Sequence, residues 1–150
     1  MKNKFIILSG IPGQGKSTYA KKLALKENAQ IICPDSLRKE VTGSEGDLSR
    51  DDYIWKFLVP ERVLFWADKK ENIIFDATQI NRKARLPMIK RAQYIGYYIE
   101  CHYMKPDVEL AKKQNVERDR KVPDFVIDDF AKKWEIPMLD EGFDKIAEIN

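Results

Sequence analysis

Gly10, Gly15, Lys16 and Ser17 stand at the spacing G-x-x-x-x-G-K-[ST] inside FIILSGIPGQGKS, residues 5–17. Glycines at 10, 13 and 15 permit backbone conformations and close approaches that a side chain would block. The N–H groups of such a loop converge as an anion nest, and a helix opening near Lys16 adds the positive end of its dipole. Lys16 then reaches the β- and γ-phosphates of a nucleoside triphosphate, and the Ser17 hydroxyl sits on its Mg²⁺. Gln14 and Thr18 complete the nucleotide-binding stretch with Gly10, Gly13, Gly15, Lys16 and Ser17. Phosphate binding is the first chemistry this pattern predicts.

Phosphoryl transfer to a hydroxyl also needs a carboxylate to take the proton. Asp35 follows a second strand-like run and suits that role, with capping of the next helix as the alternative. Arg38 lies three residues on, on the same helical face. Its guanidinium there holds a phosphate or the Asp35 carboxylate, or is a solvated surface group. Asp76 ends the apolar run IIFD, where an acidic group sits near Mg²⁺ and its waters or caps a turn. Between Asp76 and Glu100 every charged residue is basic. Arg82 and Arg85, three apart, offer a patch for a phosphorylated or polyanionic acceptor, while Lys90 and Arg91 read as a solvated face. Arg118, Arg120 and Lys121 fall in a loop between helices and suit closure over a triphosphate, or form an exposed basic turn. His102, the single histidine, reads as a core or strand-edge group. Tyr53, Trp55 and Trp66 read as core aromatics in preference to a platform for bases.

These residues need a scaffold. Short apolar runs at Phe5–Leu8, Ile31–Cys33, Asn72–Phe75, Tyr97–Met104 and Phe143–Ile149 read as strands. Helical patterns lie between them. The first covers Lys16–Glu27 with Asn28 as its stop, and a short one follows Pro34. A loop over Thr42–Ser49 leads to Arg50–Lys70, with Ser49 and Asp52 as a capping box and a kink or break at Pro60. Asn81 caps a segment reaching Gly96, with Pro87 at a start or kink. Pro106 opens a helix over Asp107–Glu117, and Val122-Pro123 opens the last, ended by Pro137. Its stripe is Ile127, Phe130, Ala131 and Trp134. Alternating strands and helices predict an α/β three-layer sandwich around a mostly parallel, about five-stranded sheet. In such sheets ligands bind beyond the carboxyl ends of the strands. The stretches 10–17, 35–38 and 76–78 should therefore meet in one cleft.

The chain of 150 residues suits one domain, 1–150. A net charge of +3 permits a nucleic-acid partner without requiring one. No apolar run approaches a membrane span, and the basic-then-apolar N-terminus runs straight into the phosphate loop, so a cytoplasmic protein is expected. Cys33 and Cys101 read as buried free thiols, and no Cys/His spacing suggests zinc.

Taken together, these motifs resemble the phosphate-loop kinases related to the 5′-hydroxyl polynucleotide kinases, over essentially the whole chain. GIPGQGKST is similar to the G-x-P-G-x-G-K-S-T of that group, and DSLR at 35–38 to its D-x-x-R. DATQINRKAR at 76–85 is similar to its D-x-T-x-x-x-R-x-x-R, and NVER at 115–118 followed by Val122-Pro123 to its lid. Glu141-Gly142-Phe143-Asp144 also occurs in small kinases of this type. Pro34 stands where the phage enzyme of the group carries a basic residue. The resemblance implies transfer of the γ-phosphate of ATP, with Mg²⁺, to the 5′-hydroxyl of a single-stranded or end-exposed DNA or RNA. The kinases that act on sugars, nucleosides or similar alcohols, the toxin-type kinases and a non-catalytic ATP-binding module are the alternatives. It implies a lid near 115–123, with Lys16, Asp35, Arg38 and Arg118 catalytic and Arg118 and Arg120 on the nucleotide. Asp35, Arg38, Asp76, Arg82 and Arg85 would meet the acceptor, and Ser17 and Asp76 the metal, Asp76 through water. A separate ligase or phosphatase would act in the same pathway.

Overall fold

A computed structural model of the chain describes residues 2–118 and 121–149. Five strands form one sheet: β1 (Lys4–Ser9), β2 (Ala29–Ile32), β3 (Asn72–Phe75), β4 (Tyr98–Tyr103) and β5 (Lys145–Glu148). Their order is β2-β3-β1-β4-β5, and every pairing is parallel. β1 is central and buried on both faces, which is why it reads as a continuous apolar run. Phe5 and Ile7 join the larger core with Ile73, Phe75, Ile99 and Cys101, whereas Ile6 and Leu8 join Ala20, Leu23 and Ile74 on the other face. The predicted α/β sandwich is thus observed.

Helix α1 (Lys16–Glu27) packs on the second face, running from Gly15 to Asn28, both in the left-handed region. α2 (Pro34–Thr42) begins one residue before Asp35, with Cys33 in the capping position and Pro34 in its first turn. The capping alternative for Asp35 therefore falls away. Its side chain lies in the first turn, where the helix dipole favours an anion. The Ser49 capping box is also absent. Instead Asp47 accepts from Ser49 N (3.0 Å) and caps a 3₁₀ turn over Leu48–Arg50.

The break expected at Pro60 takes a specific form. α3 (Asp51–Tyr53) passes into a π-helical turn, Ile54–Leu58, before α4 (Val59–Asp68). Proline has no N–H and its ring crowds the carbonyl four residues back, and a widened turn relieves both. α4 and α5 (Arg82–Ile95) cover the first face of the sheet. Asn81 caps α5 by accepting from Ala84 N (2.8 Å), and Gly96 ends it. α6 (Val108–Asn115) is capped by Asp107, not opened by Pro106, and α7 (Asp124–Lys133) stops before Trp134, ahead of Pro137. Ile11, Ala111 and Ile127 form a small third core that seats α6 and α7 against the phosphate loop. No helix among the described residues is long and apolar enough to cross a membrane.

Candidate active site

The loop between β1 and α1 is held from both sides. Gly10 N donates to Thr78 O (2.9 Å), which ties the loop to the turn after β3. Gln14 Nε2 donates to Lys105 O (2.6 Å) and Gln14 Oε1 accepts from Asp107 N (3.1 Å), which ties it to the start of α6. The side chain of Gln14 is thus committed to the scaffold, which leaves its backbone N–H as the group the loop would offer a nucleotide. Gly13 has φ +85°, and a Cβ there would lie 2.7 Å from the Ala111 carbonyl oxygen. Glycine is required at this point by conformation and by space.

Lys16 is buried and donates from Nζ to Ile11 O (2.9 Å). Burial lowers its pKa to about 8, with Asp76 opposing the shift and Arg118 reinforcing it. Ser17 Oγ donates to Asp76 Oδ2 (2.8 Å), joining the start of α1 to the end of β3. Asp76 is buried, and that burial raises its carboxyl pKa against the pull of Ser17 and Lys16. Among the described residues no three His, Cys, Asp or Glu side chains cluster to hold a metal alone. A hydroxyl beside a buried carboxylate is nonetheless a hard-oxygen pair. It suits a Mg²⁺ that takes its other ligands from phosphates and water.

Arg118 follows α6 and borders the cavity of about 460 Å³ that also meets Gly13, Gly15, Lys16 and Thr18. Its Nη1 is buried and finds no hydrogen-bond partner among the described residues. A cationic nitrogen so placed, over an anion nest, is where phosphate oxygens would complete the bonding. The segment carrying it is closed at its base. Asn115 Nδ2 donates to Val122 O (2.6 Å) and Val122 N donates to Asn115 Oδ1 (3.1 Å). Arg120, also expected on the nucleotide, lies outside the described residues.

Asp35 projects from α2 into a cavity of about 310 Å³ shared with Lys16, Ser17, Asp76, Thr78 and Arg118. The predicted meeting of the three strand ends is therefore what the fold produces. Arg38 Nη1 donates to Asp35 Oδ1 (2.6 Å) and to Glu45 O (2.9 Å). Its Nε and Nη2 grip Asp51 Oδ1 and Oδ2 at 2.7 and 3.0 Å. Asp51 first, and then Asp35, raise the guanidinium pKa further. With four such bonds on five N–H groups, Arg38 aligns Asp35 and has one N–H left for an acceptor.

Of two expected acceptor contacts one is corrected, and the other lies outside the cavity at Asp35. Arg85 is fully buried and forms a two-point pair with Glu141 (2.7 and 3.1 Å). Its Nη1 also donates to Gln79 O (3.1 Å) and Glu135 O (3.0 Å). A guanidinium with no exposed surface, four of its five N–H groups bonded to the protein, cannot meet a substrate, so Arg85 is a structural clamp. Arg82 is exposed, pairs with Asp140 (2.8 Å) and does not line the cavity at Asp35. The aromatics also sort differently from expectation. Trp55 is 40% exposed and lines the Asp35 cavity, with Leu48 and Asp51 beside it. No residue-type motif marked Asp51 or Leu48, since their place in this cavity comes from where the helical segment after α2 is carried, whereas Trp55 stands where the base-stacking alternative to core packing would have it. His102, as expected, is buried in β4, where it meets Tyr19 Oη and Glu100 (2.9 Å from Nε2).

Strand, phosphate loop and helix, with a hydroxyl–carboxylate pair and an arginine nitrogen buried without a protein partner among the described residues, define a phosphate-loop α/β nucleotide-binding protein. The family described as AAA domain matches residues 5–137, and the chain belongs to it. It is similar to an L-seryl-tRNA(Sec) kinase of Methanococcus maripaludis, 26% identical, over 88% of this chain and 52% of that protein. Among solved structures, a chain of the Pnkp1/Rnl/Hen1 RNA repair complex superposes with a TM-score of 0.78. It is 23% identical, over 88% of this chain and 44% of that one. A gluconokinase from Sinorhizobium meliloti gives 0.63 at 16% identity, over 97% of this chain and 81% of that one. These two likenesses show a shared fold. The chain spans about half the length of the curated relative it matches.

Proposed function

We propose that the chain is an ATP-dependent kinase whose acceptor is a hydroxyl at a nucleic-acid end, foremost the 5′-hydroxyl of a DNA or RNA strand. The observation that carries this reading is the single cavity that joins Asp35 to Lys16, Ser17, Asp76 and Arg118. An acceptor hydroxyl and a γ-phosphate would meet there within reach of both a proton acceptor and the phosphate-binding cations. The loop N–H groups and Lys16 bind the triphosphate and set the γ-phosphorus in line with the hydroxyl. The hydroxyl oxygen forms the new P–O bond, Asp35 takes its proton, and the bond from the γ-phosphorus to the β–γ bridging oxygen breaks to release ADP. Arg38 holds Asp35 in place through Asp51 and Glu45. Arg118, on a lid over 115–123, neutralises charge that builds on the transferring group. Ser17 and Asp76 would hold Mg²⁺, which screens the phosphate charges when bound.

The relative named a seryl-tRNA kinase supports an RNA-borne hydroxyl, and its name points to a serine hydroxyl on a charged tRNA as the second reading. The deciding experiment is transfer from γ-labelled ATP to a short 5′-hydroxyl oligonucleotide. Lys16→Ala, Asp35→Asn and a 5′-phosphorylated strand serve as controls. Label on the 5′-hydroxyl strand alone, lost in both variants, supports the proposal. Intact ATP binding without label refutes the 5′-hydroxyl acceptor.

A further inference from the structure

The cavity at Asp35 mixes charged and apolar lining, and Trp55, Leu48, Val126 and Phe130 belong to its apolar part. One edge of Trp55 is fixed, because its ring meets Phe75 edge-on, with centroids 5.9 Å apart at 80°. Phe75 ends β3 next to Asp76, so the indole is referenced to the catalytic strand end. The ring is otherwise 40% exposed and lines the cavity. Arg38 in this lining already spends four of its five N–H groups on Asp35, Asp51 and Glu45 O. The remaining cations of the cavity, Lys16 and Arg118, lie at its phosphate end. A flat, π-faced group joined closely to the reacting hydroxyl fits the apolar part of the lining.

We propose that Trp55 is the platform for the acceptor's terminal nucleobase, which stacks on the indole inside the cavity that Val126 and Phe130 also line, while the 5′-hydroxyl of that nucleotide meets Asp35. This rests on the 5′-hydroxyl reading and adds the group that recognises the acceptor. Stacking is tolerant of sequence, so purine ends are favoured over pyrimidine ends by ring area, with no base excluded. Loss of one stacked base is worth about 1–3 kcal/mol, which is about a 5- to 150-fold change in affinity.

The test compares wild type, Trp55→Ala and Trp55→Phe on oligonucleotides with a 5′-terminal adenosine, cytidine or abasic sugar. Both transfer and equilibrium binding of 3′-fluorescent strands are read. Trp55→Ala should raise KM and Kd for base-bearing ends by roughly tenfold or more, with Trp55→Phe retaining most of the affinity. The KM for ATP should stay within about twofold, which also shows that the variant is folded. The abasic strand should bind wild type weakly and lose nothing further in Trp55→Ala. Equal losses on abasic and base-bearing strands, or no loss on either, overturn the platform. Base-dependent binding without transfer would keep the platform and refute the 5′-hydroxyl acceptor instead. Failure of wild type to bind any strand overturns both.

Discussion

Replacing Lys16 with methionine should abolish catalysis and, at neutral pH, make the free protein more stable. The ammonium is buried, and its pKa falls from 10.5 to about 8. That difference of about 2.5 pH units, at 1.36 kcal/mol each, means the folded chain holds this charge at a cost of about 3 kcal/mol. Methionine fills similar volume without the charge, but loses the bond from Nζ to Ile11 O, worth about 1 kcal/mol. Asp76 also loses a favourable neighbour. The net gain should be about 1–2 kcal/mol at pH 7, or a rise in Tm of several degrees for a chain of this size. Between pH 8 and 10.5 the unfolded chain binds more protons at Lys16 than the folded chain does. Wild-type stability from this group therefore rises across that window, and the advantage of Lys16→Met shrinks. Paired urea titrations of the two proteins at pH 7 and pH 10 measure it. MgATP should then raise the Tm of wild type and leave that of the variant unmoved. A variant less stable than wild type at pH 7, or a difference that does not change by pH 10, would refute the account of Lys16 as a charge held for a phosphate.

Three further outcomes follow from the same geometry. Arg38→Lys keeps the charge but loses the two-point grip on Asp51, so kcat should fall on the order of 10²-fold with the acceptor KM little changed. A rise in KM at constant kcat, read from steady-state kinetics, would make Arg38 an acceptor contact instead. Arg85→Met leaves Glu141 buried without its partner and should cost about 3–5 kcal/mol, a fall in Tm of about 10 °C by calorimetry. Arg85→Met combined with Glu141→Leu should recover most of that loss. Gly13→Ala should lower stability by at least about 1 kcal/mol and weaken ATP binding in calorimetric titration, because φ is +85° and the Cβ would meet a backbone oxygen.

Features written in local sequence were the ones legible beforehand. The strand–loop–helix of the phosphate loop, the end of α1 at Asn28 and the cap at Asn81 each depend on neighbours a few residues away. The parallel sheet followed from alternation alone, and the cleft followed from the sheet. Arg85 was misread because a basic residue in a basic run has the appearance of surface. Its partner Glu141 is 56 residues distant, and nothing near Arg85 announces it. Trp55 was misread for a geometric reason. The π turn over Ile54–Leu58 inserts extra residues per turn, which rotates side chains away from the faces that a 3.6-residue period assigns them. Proline at position 60 signalled a break there, but not that the break would keep the chain helical and present an indole to the cavity.

The charged groups of this chain divide by whether the fold already satisfies them, and that division separates scaffold from site. Arg85 and Arg38 are buried with four of five N–H groups each answered by carboxylates and carbonyls. Such residues hold other residues still, and removing them is felt first in stability or alignment. Lys16 and Asp76 are buried against pKa shifts that work against their charges, and Arg118 keeps a buried nitrogen without a partner among the described residues. Folding does not repay those costs, whereas a triphosphate with Mg²⁺ would repay all three at once. Unmet charge thus marks where a triphosphate would bind, and on the proposed function the exposed ring of Trp55 in the cavity at Asp35 is the surface left for the acceptor.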